Sequence, residues 1–224
     1  MKKCVLILAR GGSKSIPRKN LVKVNGDPLI SYPIKAALKA GFEDVWVSSE
    51  DSEIKEVAIS LGAKIHARPS ELAGDISTDL ECFRDFSLHH GEYDYIVHLR
   101  ATSPQITPDI IHSAINLFEK KYDEVDSLRS VVRLEKSPFK TWFLEDDVFL
   151  TPAVQGHSFH SSPRQTLRQA YYQNACIDII KSNTIIEKGS MIGNKCLSYV
   201  MEEGYNIDID TKKDLHKAKN ILES

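Results

Sequence analysis

The chain has 224 residues, of which 42% are hydrophobic and 27% are charged, and its formal net charge is −2. That length is enough for one α/β domain with a sizeable core. The lack of a basic surplus argues against broad binding to nucleic acid or to acidic membranes, and no apolar run is long enough to span a bilayer.

The first half of the sequence alternates between strand-like apolar runs and helical periodicity. Cys4–Ala9 is a continuous apolar run typical of a buried parallel strand, and further strands are predicted over Asp44–Ser48, Lys64–Ala67 and Tyr95–Leu99. Apolar residues at helical spacing predict helices over Pro28–Ala40, Ser52–Leu61, Thr78–His90 and Pro108–Lys120. The first of these helices should begin near Ser31, because Pro33 fits only a first turn. This order predicts an α/β fold with a mostly parallel twisted sheet and helices on both faces.

The pattern changes after Asp126. Further strands are predicted over Leu128–Leu134 and Cys176–Ile180, and a closing helix over Thr211–Leu222. Between about residues 134 and 170 there is no clear period, and three prolines interrupt any long element. We expect an inserted hairpin or arm in this stretch, used for contacts in a homodimer, within a single domain that covers residues 1–224.

The start of the chain and its cysteines bear on the compartment. The apolar run Cys4–Ala9 is shorter than a signal-peptide core and ends at Arg10, so we expect a buried first strand. The four cysteines are Cys4, Cys82, Cys176 and Cys196. No two of them have the spacing of metal ligands, and a chain of this length does not need disulfide bonds for stability. We therefore expect reduced thiols and a cytoplasmic protein.

A basic, glycine-containing loop follows the first predicted strand, where open parallel sheets bind their ligands. The loop Arg10–Asn20 concentrates four cations, Arg10, Lys14, Arg18 and Lys19, beside Gly11 and Gly12. Several cations together with accessible backbone N–H groups suit a triphosphate. The spacing matches neither a Walker A loop nor G-x-G-x-x-G. The alternative is a solvated basic loop.

The loop sequence A-R-G-G-S-K-x-I-P-R-K-N resembles the signature of the CMP-sialic acid synthetase (acylneuraminate cytidylyltransferase) family. The resemblance implies a nucleotidyltransferase of the Rossmann-like type, in which this loop wraps the phosphates of CTP. It implies that Arg10 and Lys19 contact the phosphates, that Lys19 offsets charge as pyrophosphate leaves, and that Asn20 contacts the nucleotide. The other loop residues assigned to the nucleotide are Gly11, Gly12, Ser13 and Lys14.

A second motif, Arg68–Thr78, is similar to the family's R-P-x-x-L-A-x-D-x-[AS]-[ST] stretch. The resemblance implies that Arg68, Ser77 and Thr78 help to hold the cytosine and ribose. Ser77 or Thr78 suits a helix N-cap equally well, and one hydroxyl can serve both roles.

A third motif, Leu99–Pro104, resembles the family's L-[QR]-P-T-S-P, which faces the sugar. It implies that Arg100, Thr102 and Ser103 bind the sugar. Arg100 would pair with a carboxylate of the sugar or alter which sugar fits, and Ala101 departs from the usual proline. The alternative is a plain turn after a strand.

A weaker match begins at Arg164-Gln165 and continues through Tyr171–Ala175, similar to the family's R-R-Q-D-L…N-G-A. It implies that Arg164 and Gln165 lie near the sugar. Asn174 would orient a sugar hydroxyl or simply make a turn.

Two aspartates stand two residues apart in Asn206–Asp210. In an extended chain, Asp208 and Asp210 point to the same side. Two such charges are unfavourable together unless a cation lies between them, and Mg²⁺, which prefers carboxylates and phosphates, fits that position. The family carries a D-x-D pattern here with its aspartates on the metal. The alternative is an acidic pair on the surface.

The histidines at His89-His90 and at His157-x-x-His160 have no third ligand at a useful spacing. We therefore predict that they are surface residues rather than a metal site.

The resemblance implies a Mg²⁺-dependent cytidylyltransferase with Arg10, Lys19, Asp208 and Asp210 as its catalytic residues. The anomeric hydroxyl of a 2-keto-3-deoxy sugar acid of the sialic acid type would attack the α-phosphorus of CTP in line, and pyrophosphate would leave. No side chain stands out as a dedicated general base. The alternatives are an eight-carbon acid, a base other than cytosine, and a nucleotide-binding regulatory module without catalysis.

Overall fold

A computed structural model describes residues 1–155, 158–202, 204 and 208–223, with the backbone alone at 158 and 221–223. The predictions for His157, Asn206 and Ile207 lie outside the described residues. The strands are β1 (Lys3–Leu8), β2 (Lys23–Val24), β3 (Asp27–Pro28), β4 (Val45–Ser49), β5 (Lys64–Ala67), β6 (Tyr95–Leu99), β7 (Ser127–Arg133), β8 (Trp142–Glu145), β9 (Phe149–Pro152), β10 (Tyr171–Lys181) and β11 (Cys196–Met201).

The α-helices are α1 (Ser31–Lys39), α2 (Ser52–Ser60), α3 (Asp79–His89), α4 (Pro108–Lys120), α5 (Ser182–Ile186) and α6 (Lys212–Glu223). Short 3₁₀ turns occur at Lys19–Leu21, Ser70–Ala73, Tyr122–Glu124, Pro138–Lys140, Ser158–Ser161 and Arg164–Thr166. Among the helices that the structure describes, none is long and apolar enough to cross a membrane.

Seven strands form one sheet in the order β11-β7-β10-β6-β1-β4-β5. Neighbouring strands pair in parallel except at β10, which runs antiparallel to both β6 and β7. The predicted mostly parallel sheet is therefore confirmed, with one reversed strand in its interior.

The two faces of the sheet carry separate cores, as the alternation of side chains along β1 shows. Val5 and Ile7 belong to a core that α1, α2 and α4 complete, whereas Cys4 and Leu6 belong to a core that α3 and α5 complete. Successive side chains of a strand point to opposite faces, so a fully apolar strand requires cover on both. The prediction of helices on both faces is confirmed.

Several element bounds differ from the predictions for physical reasons. Helix α1 begins at Ser31 with Pro33 in its first turn, as expected. Strand β10 is longer than its apolar centre, because its first residues, such as Tyr171, are exposed and polar. Strand β11 was not predicted: it is an edge strand whose residues are mostly exposed or half-buried, so it has no continuous apolar run.

A third, small core joins the loop after β1 to the last part of the chain. Its buried members are Ile16, Val24, Leu29, Ile209 and Ala218. Ile209 lies between the two predicted metal-binding aspartates and is fully buried, and its N–H donates to the carbonyl of Thr102 at 3.0 Å. This burial fixes the aspartates beside the basic loop, although about 190 residues separate them in sequence.

The hairpin expected between about residues 134 and 170 is present. Strands β8 and β9 pair antiparallel in a two-stranded sheet separate from the main one.

Candidate active site

A cavity of about 370 Å³ lies at the carboxyl ends of β1, β5 and β6. The basic loop, the second and third motifs and the aspartate pair all contribute to its lining, with the predicted residues Arg10, Lys19, Asn20, Arg68, Ser77, Arg100, Thr102, Asp208 and Asp210. Parallel strands end at the same edge of a sheet, so loops that are distant in sequence meet there. Many of its lining residues are charged, so the cavity can hold a charged ligand through ion pairs and hydrogen bonds.

The central contact of the cavity joins the first motif to the last. Lys19 Nζ lies 2.8 Å from Asp210 Oδ1. The side chain of Lys19 is 15% exposed and that of Asp210 is 67% exposed, so the lysine is the more enclosed partner. Within this contact, Lys19 and Asp210 neutralise each other's charge. When ligands enter, Lys19 can pair with a phosphate and Asp210 with a metal ion instead.

Asp208 lies in a different environment from Asp210. Its Oδ1 atom is buried and has no hydrogen-bond partner among the residues that the structure describes. Burial raises the pKa of the Asp208 carboxyl; a hydrogen bond with Thr102 opposes this shift, and the nearby Asp210 adds to it. A buried carboxylate oxygen without a hydrogen-bond partner, together with a second carboxylate nearby, gives a set of oxygen ligands that fits Mg²⁺.

Two of the other loop cations, Arg10 and Lys14, pair with an acidic residue whose role sequence reasoning missed, whereas Arg18 pairs with Asp51 and Glu53. Asp75 pairs with Arg10 at 3.0 Å and with Lys14 at 2.6 Å. It thereby occupies the position of an anion between two of the predicted phosphate ligands.

Two hydrogen bonds hold the backbone of the basic loop. Gly11 donates its N–H to Glu50 Oε1 at 2.7 Å, and Asn20 Nδ2 donates to the carbonyl of Arg10 at 2.9 Å.

Four residues of the basic loop follow the cavity residue Arg10 in sequence but do not line the cavity: Gly11, Gly12, Ser13 and Lys14. Gly12 is exposed and Ser13 is half-buried. Their assignment to the nucleotide remains a prediction.

The two hydroxyl residues of the second motif have separate positions. Thr78 is the N-cap of α3 and forms a capping box with Glu81. Ser77 lines the cavity, and its Oγ donates to the carbonyl of Glu71 at 3.0 Å. Arg68 is buried at the cavity wall, where its Nη2 donates to the carbonyl of Ser48 at 2.8 Å.

The floor of the cavity holds a network of charges that sequence reasoning did not identify. Arg100 lies 2.7 Å from Asp79 and 3.8 Å from Asp178, and Arg129 Nε lies 3.0 Å from Asp178. Burial raises the pKa of Asp178, although Arg129 and Arg100 oppose that effect. A signal existed in the sequence, because Asp178 interrupts an otherwise apolar strand.

The remaining predicted sugar residues lie apart from the cavity lining. Ser103 is buried in the turn after β6, where its N–H donates to the carbonyl of Arg100 at 3.2 Å. Asn174 is buried with its Nδ2 3.2 Å from Met201 Sδ. Arg164 and Gln165 line a second cavity of about 360 Å³ at the base of the arm. The single chain therefore does not bring these four side chains to the first cavity.

The prediction for His89 needs one correction. His89 is exposed, as expected of a surface residue, but the fold brings a third potential metal ligand to it, because His66 on β5 joins Asp85, which lies four residues before His89 on α3. His160, by contrast, packs against Trp142 with ring centroids 4.8 Å apart.

His98 lies fully buried on β6 at the cavity floor, and burial lowers its pKa to about 3, with Arg100 adding to the effect. The folded protein keeps this imidazole neutral, whereas the unfolded chain takes up a proton below about pH 6.5. The stability due to His98 is therefore fully present above about pH 6.5 and is lost as pH falls toward the folded pKa. We expect it to contribute up to about 1.4 kcal/mol per pH unit to the decline in the free energy of unfolding.

This share should vanish in His98→Gln, which is neutral at every pH. Urea unfolding followed from about pH 7 to about pH 4.5 should give a shallower decline for this variant than for the wild type. His112→Gln, at an exposed histidine of α4, is the matched control and should keep the wild-type slope. Equal slopes in all three proteins would show that His98 does not titrate on unfolding.

Comparison with known proteins places this cavity in context. The family model described as "Cytidylyltransferase" matches residues 4–223. N-acylneuraminate cytidylyltransferase A from Danio rerio is 37% identical over 210 residues, covering 93% of this chain and 48% of the relative. N-acylneuraminate cytidylyltransferase from Streptococcus agalactiae serotype V is 29% identical over 217 residues, covering 96% of this chain and 52% of the relative. The chain thus corresponds to about half the length of these relatives.

Solved structures share the fold at low sequence identity. A CMP:2-keto-3-deoxy-manno-octonic acid synthetase complexed with CTP superposes with a TM-score of 0.73 at 16% identity, covering 100% of this chain and 99% of the other. A 4-diphosphocytidyl-2C-methyl-D-erythritol synthase from Anaerococcus prevotii gives a TM-score of 0.61 at 10% identity, covering 99% and 97%. With a family match over nearly the whole sequence, the chain belongs to the cytidylyltransferase family.

Proposed function

We propose that the chain transfers CMP from CTP to the anomeric hydroxyl of a sialic-acid-like nonulosonic acid, releasing pyrophosphate in a Mg²⁺-dependent reaction. The observation that carries this proposal is the 2.8 Å approach of Lys19 to Asp210. It brings the cations suited to a triphosphate and the carboxylates suited to a metal ion to one point in one cavity. A module that only binds a nucleotide has little need of two adjacent carboxylates beside phosphates.

In the proposed mechanism, Asp208 and Asp210 would hold the metal ion. When bound, Mg²⁺ neutralises phosphate charge and lowers the pKa of a hydroxyl that it contacts. Lys19, released from Asp210, donates to a phosphate oxygen and offsets the charge that develops as pyrophosphate leaves. Arg10 orients the triphosphate from the other side of the cavity.

In this scheme, Asp75 neutralises Arg10 and Lys14 until the triphosphate binds. The triphosphate takes over Arg10 and Lys14 from Asp75, so the ion pairs of the empty cavity become contacts to the nucleotide. Both pairs are substantially exposed, so breaking them opposes binding only weakly. The loop therefore stays ordered before CTP arrives without a large energetic barrier to its entry.

The sugar would bind on the side of Arg100 and Thr102. Asp79 and Asp178 neutralise much of the charge on Arg100, so this residue shapes the sugar subsite as well as attracting a carboxylate. Ala101 is buried beside it where the related motif has proline. The curated relatives are named for N-acylneuraminate, which supports a nine-carbon acid as the acceptor.

Pyrophosphate release tests the proposal directly. The chain is mixed with each of the four nucleoside triphosphates and with a panel of eight- and nine-carbon 2-keto-3-deoxy acids, with Mg²⁺ or with EDTA. We expect release only with CTP, Mg²⁺ and a nonulosonic acid. Release with the eight-carbon acid alone would replace the acceptor, and tight CTP binding without release from any pair would indicate a regulatory module.

We further propose that the β8–β9 arm forms a homodimer. The arm exposes large apolar side chains at Trp142, Phe143, Leu144, Val148, Phe149 and Leu150. An isolated two-stranded hairpin is marginally stable in water, and a concentration of exposed apolar side chains on one hairpin favours an interaction surface. A second copy would cover the patch and bring its own arm cavity, with Arg164 and Gln165, toward the first chain.

Phe149→Asp should dissociate this dimer, because a charge in an apolar contact opposes its burial and the lost aromatic contributes about 2 kcal/mol or more. Light scattering coupled to size exclusion should show a dimer for the wild type and a monomer for the variant. Ile59→Asp is the matched control, since Ile59 on α2 is 61% exposed and Phe149 is 67% exposed. A monomeric wild type, or a dimeric Phe149→Asp, would contradict the proposal.

A reducing compartment such as the cytoplasm also belongs to the proposal. All four cysteines are free, and Cys4, Cys82 and Cys176 are buried. Burial raises the pKa of the Cys176 thiol to about 11, which keeps it protonated and unreactive at neutral pH.

A further inference from the structure

A cluster of metal-ligating groups lies at the edge of the sheet, apart from the lining of the nucleotide cavity. His66 on strand β5, and Asp85 and His89 on helix α3, place one ligand atom each within 4.8 Å of one another. Strand β5 is the last strand of the sheet, so the cluster joins an edge strand to the helix that covers it.

The separations within the cluster suit a first-row transition ion. His66 Nε2 lies 2.8 Å from Asp85 Oδ2, and His89 Nδ1 lies 3.6 Å from Asp85 Oδ1. Ligand atoms around a tetrahedral zinc ion with bonds of about 2.0–2.1 Å stand about 3.3 Å apart. Small rotations of these side chains therefore bring three ligands onto one ion.

Local structure holds the ligands in this arrangement. Asp85 and His89 are four residues apart on α3 and so share one face of the helix. His89 is at the last turn of α3, where its Nδ1 contacts the carbonyl of Asp85 at 2.8 Å. Metal binding exchanges that hydrogen bond for a metal bond, and the exposed imidazole of His89 has room to rotate.

His66 has the features of a metal ligand with an outer partner. It is buried, and its Nε2 faces Asp85, so its imidazole is held toward the other ligands. Its other ring nitrogen, Nδ1, lies 3.4 Å from His90 Nε2. Ligating histidines commonly hold their second nitrogen in a hydrogen bond of this kind, which fixes the ring.

We propose that His66, Asp85 and His89 form a binding site for one divalent transition-metal ion of the zinc class, with water as the fourth ligand. Two imidazoles and one carboxylate favour Zn²⁺ or Co²⁺ over Mg²⁺, which prefers oxygen ligands. The site is distinct from the Asp208/Asp210 pair in both its position and its ligand chemistry.

The role of the ion is a structural brace for one wall of the nucleotide cavity. Arg68, two residues after His66, and Asp79 and Cys82, on the same helix as Asp85, line that cavity. An ion that links β5 to α3 fixes the spacing between these two elements. It also stabilises the folded chain by mass action, because the unfolded chain does not hold the three ligands together.

The test uses the full chain without nucleotide, with excess Mg²⁺ to occupy the acidic pair. Isothermal titration with Zn²⁺ should show one tight site per chain, and Co²⁺ should give the intense visible absorption of a tetrahedral complex. His89→Ala and Asp85→Asn should each weaken Zn²⁺ binding at least about tenfold and abolish the Co²⁺ band. His89→Cys, which supplies a thiolate, should retain both.

His112→Ala is the matched control for adventitious binding to an exposed histidine, and it should titrate as the wild type does. Wild-type affinity in His89→Ala, or an equal loss in His112→Ala, would overturn the proposal. So would the absence of a stoichiometric site in the wild type. These readouts do not involve CTP, so their outcome stands apart from that of the pyrophosphate assay.

Discussion

Replacing Asp210 with alanine is expected to lower the turnover number by about 1,000-fold or more while the fold remains intact. The variant loses one of the two carboxylates that are proposed to hold the metal ion, and a metal ion supplies several kcal/mol of charge stabilisation in phosphoryl transfer. The fold should be almost unaffected, because the Lys19–Asp210 pair lost is largely exposed on the aspartate side and contributes little to stability. The measurement is pyrophosphate release at saturating CTP, acceptor and Mg²⁺, with thermal unfolding measured in parallel.

Two further variants separate loss of the metal from loss of a surface charge. Asp123→Ala removes an exposed carboxylate far along the chain and should leave turnover unchanged. Asp210→Asn keeps the size of the side chain but lowers its affinity for Mg²⁺, so excess Mg²⁺ should partly restore its turnover. Near-normal turnover in Asp210→Ala would remove Asp210 from the metal site.

The sequence predicted those parts of the site that depend on local patterns. Apolar runs located β1 and β6, and the position of Arg10 and Arg100 just after these strands placed both at one edge of the sheet. Asp208 and Asp210 were predicted as metal ligands from their spacing together with the resemblance to the family's D-x-D pattern. The resemblance implied that these aspartates and Lys19 belong to one catalytic site, and the third core, with Ile209 buried, gives their contact a physical cause.

The parts that escaped prediction depend on contacts between distant segments. Asp75 belongs to a recognised motif and Asp79 directly follows it, but their pairing with Arg10 and Arg100 is visible only in three dimensions. The same holds for His66, which meets Asp85 only when β5 packs against α3. No spacing rule relates a residue on an edge strand to one on the covering helix, so a search for short metal motifs could not find this cluster.

Lys19→Ala should lower kcat by about 100- to 10,000-fold, which is the loss expected for a buried donor aimed at charge that develops in the transition state. The side chain of Lys19 is only 15% exposed and lies against Asp210, so its charge acts where solvent screening is weak. The effect should fall on kcat more than on the KM for CTP, because the interaction strengthens as pyrophosphate leaves.

Lys14→Ala offers a matched comparison within the same loop. Lys14 carries the same charge but is 81% exposed and pairs with the exposed Asp75, so its removal should raise the KM for CTP by less than about tenfold and leave kcat nearly unchanged. The two lysines are five residues apart and carry the same charge, but they differ in exposure to solvent. Comparing their variants therefore tests the effect of that exposure rather than the effect of losing a charge. Equal effects of the two substitutions, or a Lys19→Ala change confined to CTP affinity, would show that Lys19 binds the ground state and does not stabilise the departing pyrophosphate.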